Sequence, residues 1–163
     1  MNHITINNLL NRQQYAYQPS RSTVDAARDV VARVTAHLEG GRQVAAVFCD
    51  VSRAFEMIDH ALLLAKLSSY GFSGCFHDII ASFLSDRKQS TYVLGSKSDL
   101  DPIGSCAVPQ GSIMGNNLFL LLVNDISTVC DIPEYVMFVD DTCLIVNAED
   151  VDSLKLKLCQ VMH

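Results

Sequence analysis

Apolar residues recur along this chain with two different periods, and the places where the period changes mark its elements. From Ser22 to about Leu38 they fall at helical spacing, with Val24, Ala27, Val31, Val34 and Leu38 on one side and Ser22-Thr-Val-Asp25 as the cap. Gly40-Gly41 ends that helix. Gln43–Val51 is a nearly unbroken apolar run that finishes around Asp50, the pattern of a central strand buried on both faces. Helical spacing returns from Asp59 to Tyr70, stopped by Gly71, and again from Ser73 to about Leu84. Ser90–Leu94 and Ile103–Val108 read as strands around a turn region from Gly95 to Pro102. Pro109-Gln-Gly111 predicts a tight turn, and Ser112 to about Val129 a buried helix despite Gly115 and Asn116-Asn117. Asp150 caps a final helix with Val151, Leu154, Leu158 and Val161 inward.

Just before that last helix the period becomes two. Tyr135–Val139 and Cys143–Val146 flank Asp140-Asp141, the pattern of a β-hairpin with carboxylates at its tip. Two such charges repel by about 4 kcal/mol at 4 Å and an effective dielectric near 20. Either water at an exposed turn or a bound cation must offset that. The mixed order of helices, a strand and a hairpin predicts an α+β fold, with helices packed on one face of an antiparallel sheet.

Composition narrows the picture. No repeat, low-complexity tract or linker breaks the 163 residues, so a single domain is expected. The longest strictly apolar run, Leu118–Val123, is far too short to span a bilayer, so the chain is expected to be soluble, without a membrane partner. Six cysteines without any Cys-x-x-Cys pair argue against zinc and for a reducing, intracellular setting, nuclear or cytoplasmic. The net charge of −6 argues against a chain that grips nucleic acid by itself.

Asp50 ends one strand and Asp140 sits at a hairpin tip. If those strands are neighbours, one carboxylate from each can share a cation, while alternation sends Asp140 and Asp141 to different sides. All-oxygen ligands select Mg²⁺ or Mn²⁺, and two such ions about 3.5–4 Å apart serve phosphoryl transfer. The Pro109-Gln-Gly-Ser112 turn, leading into a helix N-terminus, offers a place for an anion.

Four blocks in order carry a resemblance. Gln14-Tyr-Ala-Tyr-Gln-Pro-Ser-Arg-Ser-Thr23 is similar to a block usually written QxGFRxGRST. Phe48-Cys-Asp-Val-Ser-Arg-Ala-Phe-Glu-Met-Ile-Asp-His60 looks like motif A, DxSKAFDxVxH. Val108-Pro-Gln-Gly-Ser-Ile-Met-Gly115 with Leu118–Asp125 looks like motif B, and Phe138-Val-Asp-Asp-Thr142 like motif C, FADDT. Leu84-Ser-Asp-Arg-Lys-Gln89 fits between A and B. From Gln14 to about Val161 the chain resembles the reverse transcriptase domain of non-LTR, LINE-like retrotransposons of the jockey and RTE groups.

That resemblance implies a right-hand polymerase palm with incomplete fingers and no thumb, residues 1–41 being the fingers-side lead-in and 42–163 the palm core. It implies RNA-directed DNA synthesis with two Mg²⁺ ions, Mn²⁺ being a substitute, on an RNA template, a DNA primer and deoxynucleoside triphosphates. By motif matching, Asp50, Asp140 and Asp141 are the catalytic carboxylates and, with the Val51 carbonyl, the metal ligands. Asp140 is expected to bind metal directly and Asp141 to support it. Phe55 is the implied steric gate against a ribose 2′-hydroxyl, Gln110 and Gly111 line the nucleotide, and Arg21 is a triphosphate or template contact. The chain departs from the pattern at Ala16, Gln18, Ser20, Arg53, Glu56, Ala107, Asn116 and Val139, none of them a catalytic carboxylate. The missing fingers and thumb imply little or no activity for this piece unaided. A non-catalytic, retrotransposon-derived binding domain is the competing expectation. A phosphoacceptor receiver domain also clusters aspartates around Mg²⁺, but there the acidic pair precedes the lone acceptor, the reverse of the order here.

Overall fold

The apolar run after Gly40-Gly41 becomes strand β1 (Gln43–Cys49), and the two-residue alternation after Pro133 becomes β6 (Glu134–Phe138) and β7 (Asp141–Ala148). These three form an antiparallel sheet in the order β1-β7-β6. The computed structural model describes residues 4, 7, 9–51, 53–109 and 111–162. Their contacts divide into two compact units, one of residues 1–52 with 123–163 and one of residues 53–122. In the first, α1 (Thr23–Glu39) packs on the sheet that β1 helps to form.

The first unit holds the sheet. Ser22 starts α1 with a reciprocal capping box: its hydroxyl accepts from Asp25 N, and its own N–H donates to the Asp25 carboxylate. α1 covers one face, where Ala26, Val136, Cys143 and Ile145 form a buried cluster flanked by Tyr15, Val30, Val34, Val44 and Phe138. Of the side expected to face inward, only Val34 is packed there; Val24, Val31 and Leu38 are exposed. Two apolar stripes about a third of a turn apart compete on this helix. The sheet takes the stripe that also carries Arg33 and His37, because both reach Glu134 at the start of β6. The closing helix α5 (Val151–Val161), capped by Asp150, packs back on β7 and β1.

β1 is not the central strand. β7 is, and β1 runs along an edge with Phe48 75% exposed. An apolar run marks a strand but not its place in the sheet, and the small side chains of Ala45, Ala46 and Cys49 cannot fill two faces.

The second unit contains α2 (His60–Ser69), α3 (Cys75–Leu84) and most of α4 (Ile113–Val123). Asp59 caps α2, accepting from Leu62 N at 2.8 Å, and α2 and α3 pack against each other with Leu63, Leu67, Ile80 and Leu84 buried. Of the expected strand at 90–94 only β3 (Tyr92–Val93) forms, paired with β4 (Ser96–Lys97), and the expected strand at 103–108 is not found; a second short ladder joins β2 (Lys88–Gln89) to β5 (Asp101–Pro102). Residues 105–108 serve as lacing for the segment before α2. His60 N donates to Ser105 O, Ala107 N to Ile58 O and Val108 N to Phe55 O, at 3.0–3.1 Å. α4 stops at Val123, and the rest of the expected helix is a 3₁₀ turn at Ile126–Thr128. Among the described residues no helix is long and apolar enough to cross a membrane.

Candidate active site

Asp140 and Asp141 occupy different positions of the hairpin. Phe138 pairs with Asp141, so the loop is the two residues Val139-Asp140, and Asp141 opens β7. Strand twist favours two-residue loops with positive φ, and a loop positive only at its first residue normally places glycine there. Val139 holds that position at φ 60°. A β-branched residue in this region is strained, at a cost of about 1–3 kcal/mol.

Its peptide is held from outside the hairpin. Gln14, 2% exposed, accepts at Oε1 from Val139 N (3.1 Å) and Ala16 N (3.0 Å), and donates from Nε2 to Val139 O (3.4 Å). The segment around it runs beside β6, with Met137 N donating to Gln13 O and Tyr15 N to Met137 O. Gln18 Nε2 and Arg21 Nη1 both donate to the Gln14 carbonyl, at 2.6 and 3.1 Å, and the Arg21 guanidinium lies 4.8 Å from the centre of the Tyr15 ring. Arg21 also donates to the Arg12 carbonyl. Sequence reasoning missed Gln14. The signal that could have found it is a valine in a two-residue hairpin loop, a residue that does not hold this conformation unaided.

Asp50 follows the last β1–β7 pair, Cys49 with Thr142. One further step of that register sets Asp50 across from Asp141, and alternation puts both on the side that carries Phe48 and Cys143. Asp141, not the loop residue Asp140, therefore stands opposite Asp50. Asp50, Val51 and Asp141 are exposed and Asp140 is half-buried. The three acidic residues thus lie at one end of one sheet. Beside them a cavity of about 360 Å³ opens between the first turns of α1 and the sheet, bordered by Ala27, Phe48, Phe138, Asp141 and Cys143. Burial pushes the Cys143 thiol above its ordinary pKa, with nearby Cys49 adding to the effect.

The remaining expected site residues belong to the second unit, except Gln110, which lies outside the described residues. Phe55 stacks on Phe119 with ring centroids 4.6 Å apart. Gly111 sits at φ 79° just before α4, exposed. Ser112 caps that helix, its hydroxyl donating to Pro109 O and accepting from Gly115 N, both at 2.9 Å. A Cβ on Gly115 would lie 2.6 Å from Pro109 O, so only glycine fits this close return of the chain.

Two departures from the resembled pattern fall where the backbone needs what glycine provides. Ser20 has φ 60° and Ala107 φ 85°, and both replace residues usually glycine in the family.

The donor set suits a hard divalent cation, since every candidate ligand is an oxygen. Among the described residues no three His, Cys, Asp or Glu side chains converge into a metal cluster. Mg²⁺ does not require one, because it commonly takes one or two carboxylates and completes its shell with water and substrate phosphates.

Comparison with known proteins gives one consistent picture. The family model described as reverse transcriptase (RNA-dependent DNA polymerase) matches residues 1–162. The RNA-directed DNA polymerase from the mobile element jockey of Drosophila melanogaster is 26% identical over 145 residues, covering 85% of this chain and 16% of that protein. The probable RNA-directed DNA polymerase from transposon BS of the same organism is 25% identical over 123 residues, covering 76% of this chain and 13% of its own length. In structure the chain is similar to an apo telomerase from Candida tropicalis truncated from its C-terminal domain. The TM-score is 0.64 at 12% identity, over 91% of this chain and 32% of the other, which is a likeness of fold.

Proposed function

The chain belongs to the reverse transcriptase (RNA-dependent DNA polymerase) family, and from that membership we propose that it supplies the catalytic palm of an RNA-directed DNA polymerase encoded by a non-LTR retrotransposon. The chain spans 16% and 13% of the two curated relatives, and in this reading the fingers and thumb would come from other segments of a larger polyprotein. This piece alone is expected to show little or no activity. An intracellular setting, nuclear or cytoplasmic, suits six cysteines that are all free.

The observation that supports the reading is the β1-β7-β6 register, whose next step beyond Cys49 and Thr142 sets Asp50 across from Asp141, with Asp140 in the adjoining hairpin loop. Reverse transcriptases depend on a divalent metal, and we take two Mg²⁺ ions, replaceable by Mn²⁺, to be held by Asp50, Asp140, Asp141 and the Val51 carbonyl. Bound there, the metal supplies positive charge to activate the primer hydroxyl and to stabilise the departing phosphate oxygens. In the reaction the primer 3′-oxygen bonds to the α-phosphorus of a deoxynucleoside triphosphate. The bond from that phosphorus to its α,β-bridging oxygen breaks, pyrophosphate leaves with the electron pair, and the hydroxyl proton passes to solvent. By the resemblance, Phe55 would be the steric gate against a 2′-hydroxyl, favouring deoxynucleotides, and Gln110 and Gly111 would line the incoming nucleotide. Arg21 serves first as an anchor of the Gln14 segment, and any triphosphate contact draws on its remaining donors.

The test is primer extension on an RNA template with Mg²⁺, using the full-length product of the reading frame that carries this chain. Extension by the parent and its loss in Asp140→Ala is the expected result. Undiminished extension by that variant overturns the assignment.

A further inference from the structure

We propose that Gln14 is a positioning residue for the acidic hairpin, acting through the Val139 peptide to aim Asp140 and Asp141. The inference rests on the polymerase reading above and adds to it a residue that touches no metal or substrate.

The argument starts from what a two-residue loop leaves unpaired. Phe138 and Asp141 close the ladder, so the N–H and C=O of Val139 have no cross-strand partner. Gln14 meets both, through Oε1 and Nε2 of one buried side chain. An apolar side chain of the same shape would leave both groups unsatisfied. The same two bonds oppose the relaxation of Val139 from φ 60° toward ordinary extended backbone. Such relaxation rotates the peptide that leads directly into Asp140, and with it the direction of both carboxylates. Gln14 is itself over-determined: Gln18 and Arg21 hold its carbonyl, and its Oε1 also takes Ala16 N. Gln14 is thus buried and multiply bonded while Asp141 stays exposed. It also gives Ala16, 1% exposed, and Arg21 a common purpose as parts of one brace.

Two measurements test this. In the chain itself, amide exchange should show Val139 N–H protected in the wild type and released in Gln14→Met, while the β7 core amides keep their protection. A wild-type Val139 amide that exchanges at the free-peptide rate overturns the proposal, whether or not any variant folds. In the full-length polymerase, Gln14→Met should lower kcat about 10- to 100-fold, as expected for a displaced catalytic group, with KM for nucleotide within about twofold. It should also raise the Mg²⁺ concentration needed for half-maximal rate. The same substitution made in a Val139→Gly background should cost no more than about threefold, because glycine adopts positive φ without the strain that Gln14 opposes in valine. Equal losses in the two backgrounds, or an unchanged kcat in Gln14→Met, overturn the proposal while the polymerase reading survives. Full extension by Asp140→Ala would instead overturn that reading and the catalytic part of this one, leaving amide exchange to decide on the brace.

Discussion

The Tyr15 hydroxyl donates to Asp29 Oδ2 at 2.8 Å, tying the segment beside β6 to the middle of α1. Arg33 closes on the same carboxylate oxygen at 2.7 Å and reaches Glu134 at 3.3 Å, so one line of polar contacts joins helix, strand and flanking segment. Burial by itself pushes the Asp29 carboxyl up, but the hydrogen bonds from Arg33 and Tyr15 and the Arg33 charge outweigh it and hold the group below its ordinary pKa. A carboxylate depressed in the folded state contributes stability above its unfolded pKa of about 3.9, and that contribution is lost as pH falls through the folded value. Urea unfolding of the chain should therefore show an acid-side decline beginning near pH 4. Asp29→Asn should lower stability by about 1–3 kcal/mol at neutral pH and flatten that decline. An acid-side slope unchanged in the variant would show that Asp29 is not its source.

The six cysteines should separate by accessibility and not by sequence position. Cys75, Cys106 and Cys159 are exposed, Cys49 and Cys130 half-buried, and Cys143 buried with its pKa raised. Only the thiolate reacts, so Cys143 is disfavoured twice, by access and by ionisation. Titration of the native chain with a thiol-disulfide reagent should give three fast equivalents, with Cys143 reacting last and only on unfolding. Early modification of Cys143, read by mass spectrometry of peptides, would mean that the α1 face of the sheet opens readily.

How much of this was legible in the sequence depends on the kind of interaction. The hairpin was legible because strand alternation on either side of Asp140-Asp141 is a local signal, and so were the caps at Ser22 and Asp150, which act within one turn. Asp50 and Asp141 could be named as candidates, but their juxtaposition depends on β1 (Gln43–Cys49) pairing with the distant β7 (Asp141–Ala148), which no local pattern encodes. For the same reason β1 was misplaced at the centre of the sheet. The inward stripe of α1 was misread because its apolar residues offer two faces, and Arg33 and His37, through Glu134, decide between them. Gln14 stayed hidden because its role is set by the backbone of Val139, 125 residues away.

Ala107 offers a test in which two small effects of opposite sign are compared. Its φ of 85° is held by Ala107 N donating to Ile58 O at 3.0 Å and by the His60 Nε2 contact with Ala107 O at 2.8 Å, so the residue cannot relax without unlacing the segment before α2. A left-handed conformation costs an L-residue about 1–2 kcal/mol. Glycine removes that strain but adds freedom to the unfolded chain, which works against stability by about 0.4–1 kcal/mol. The strain is the larger of the two at a φ this far from the usual αL value. Ala107→Gly should therefore stabilise the chain by up to about 1 kcal/mol, a rise in Tm of a few degrees for a domain of this size. Ala107→Val, which adds β-branching at the same φ, should destabilise it. Calorimetry on both variants checks the pair, and a lower Tm for the glycine variant would show that the laced segment carries no strain at this position.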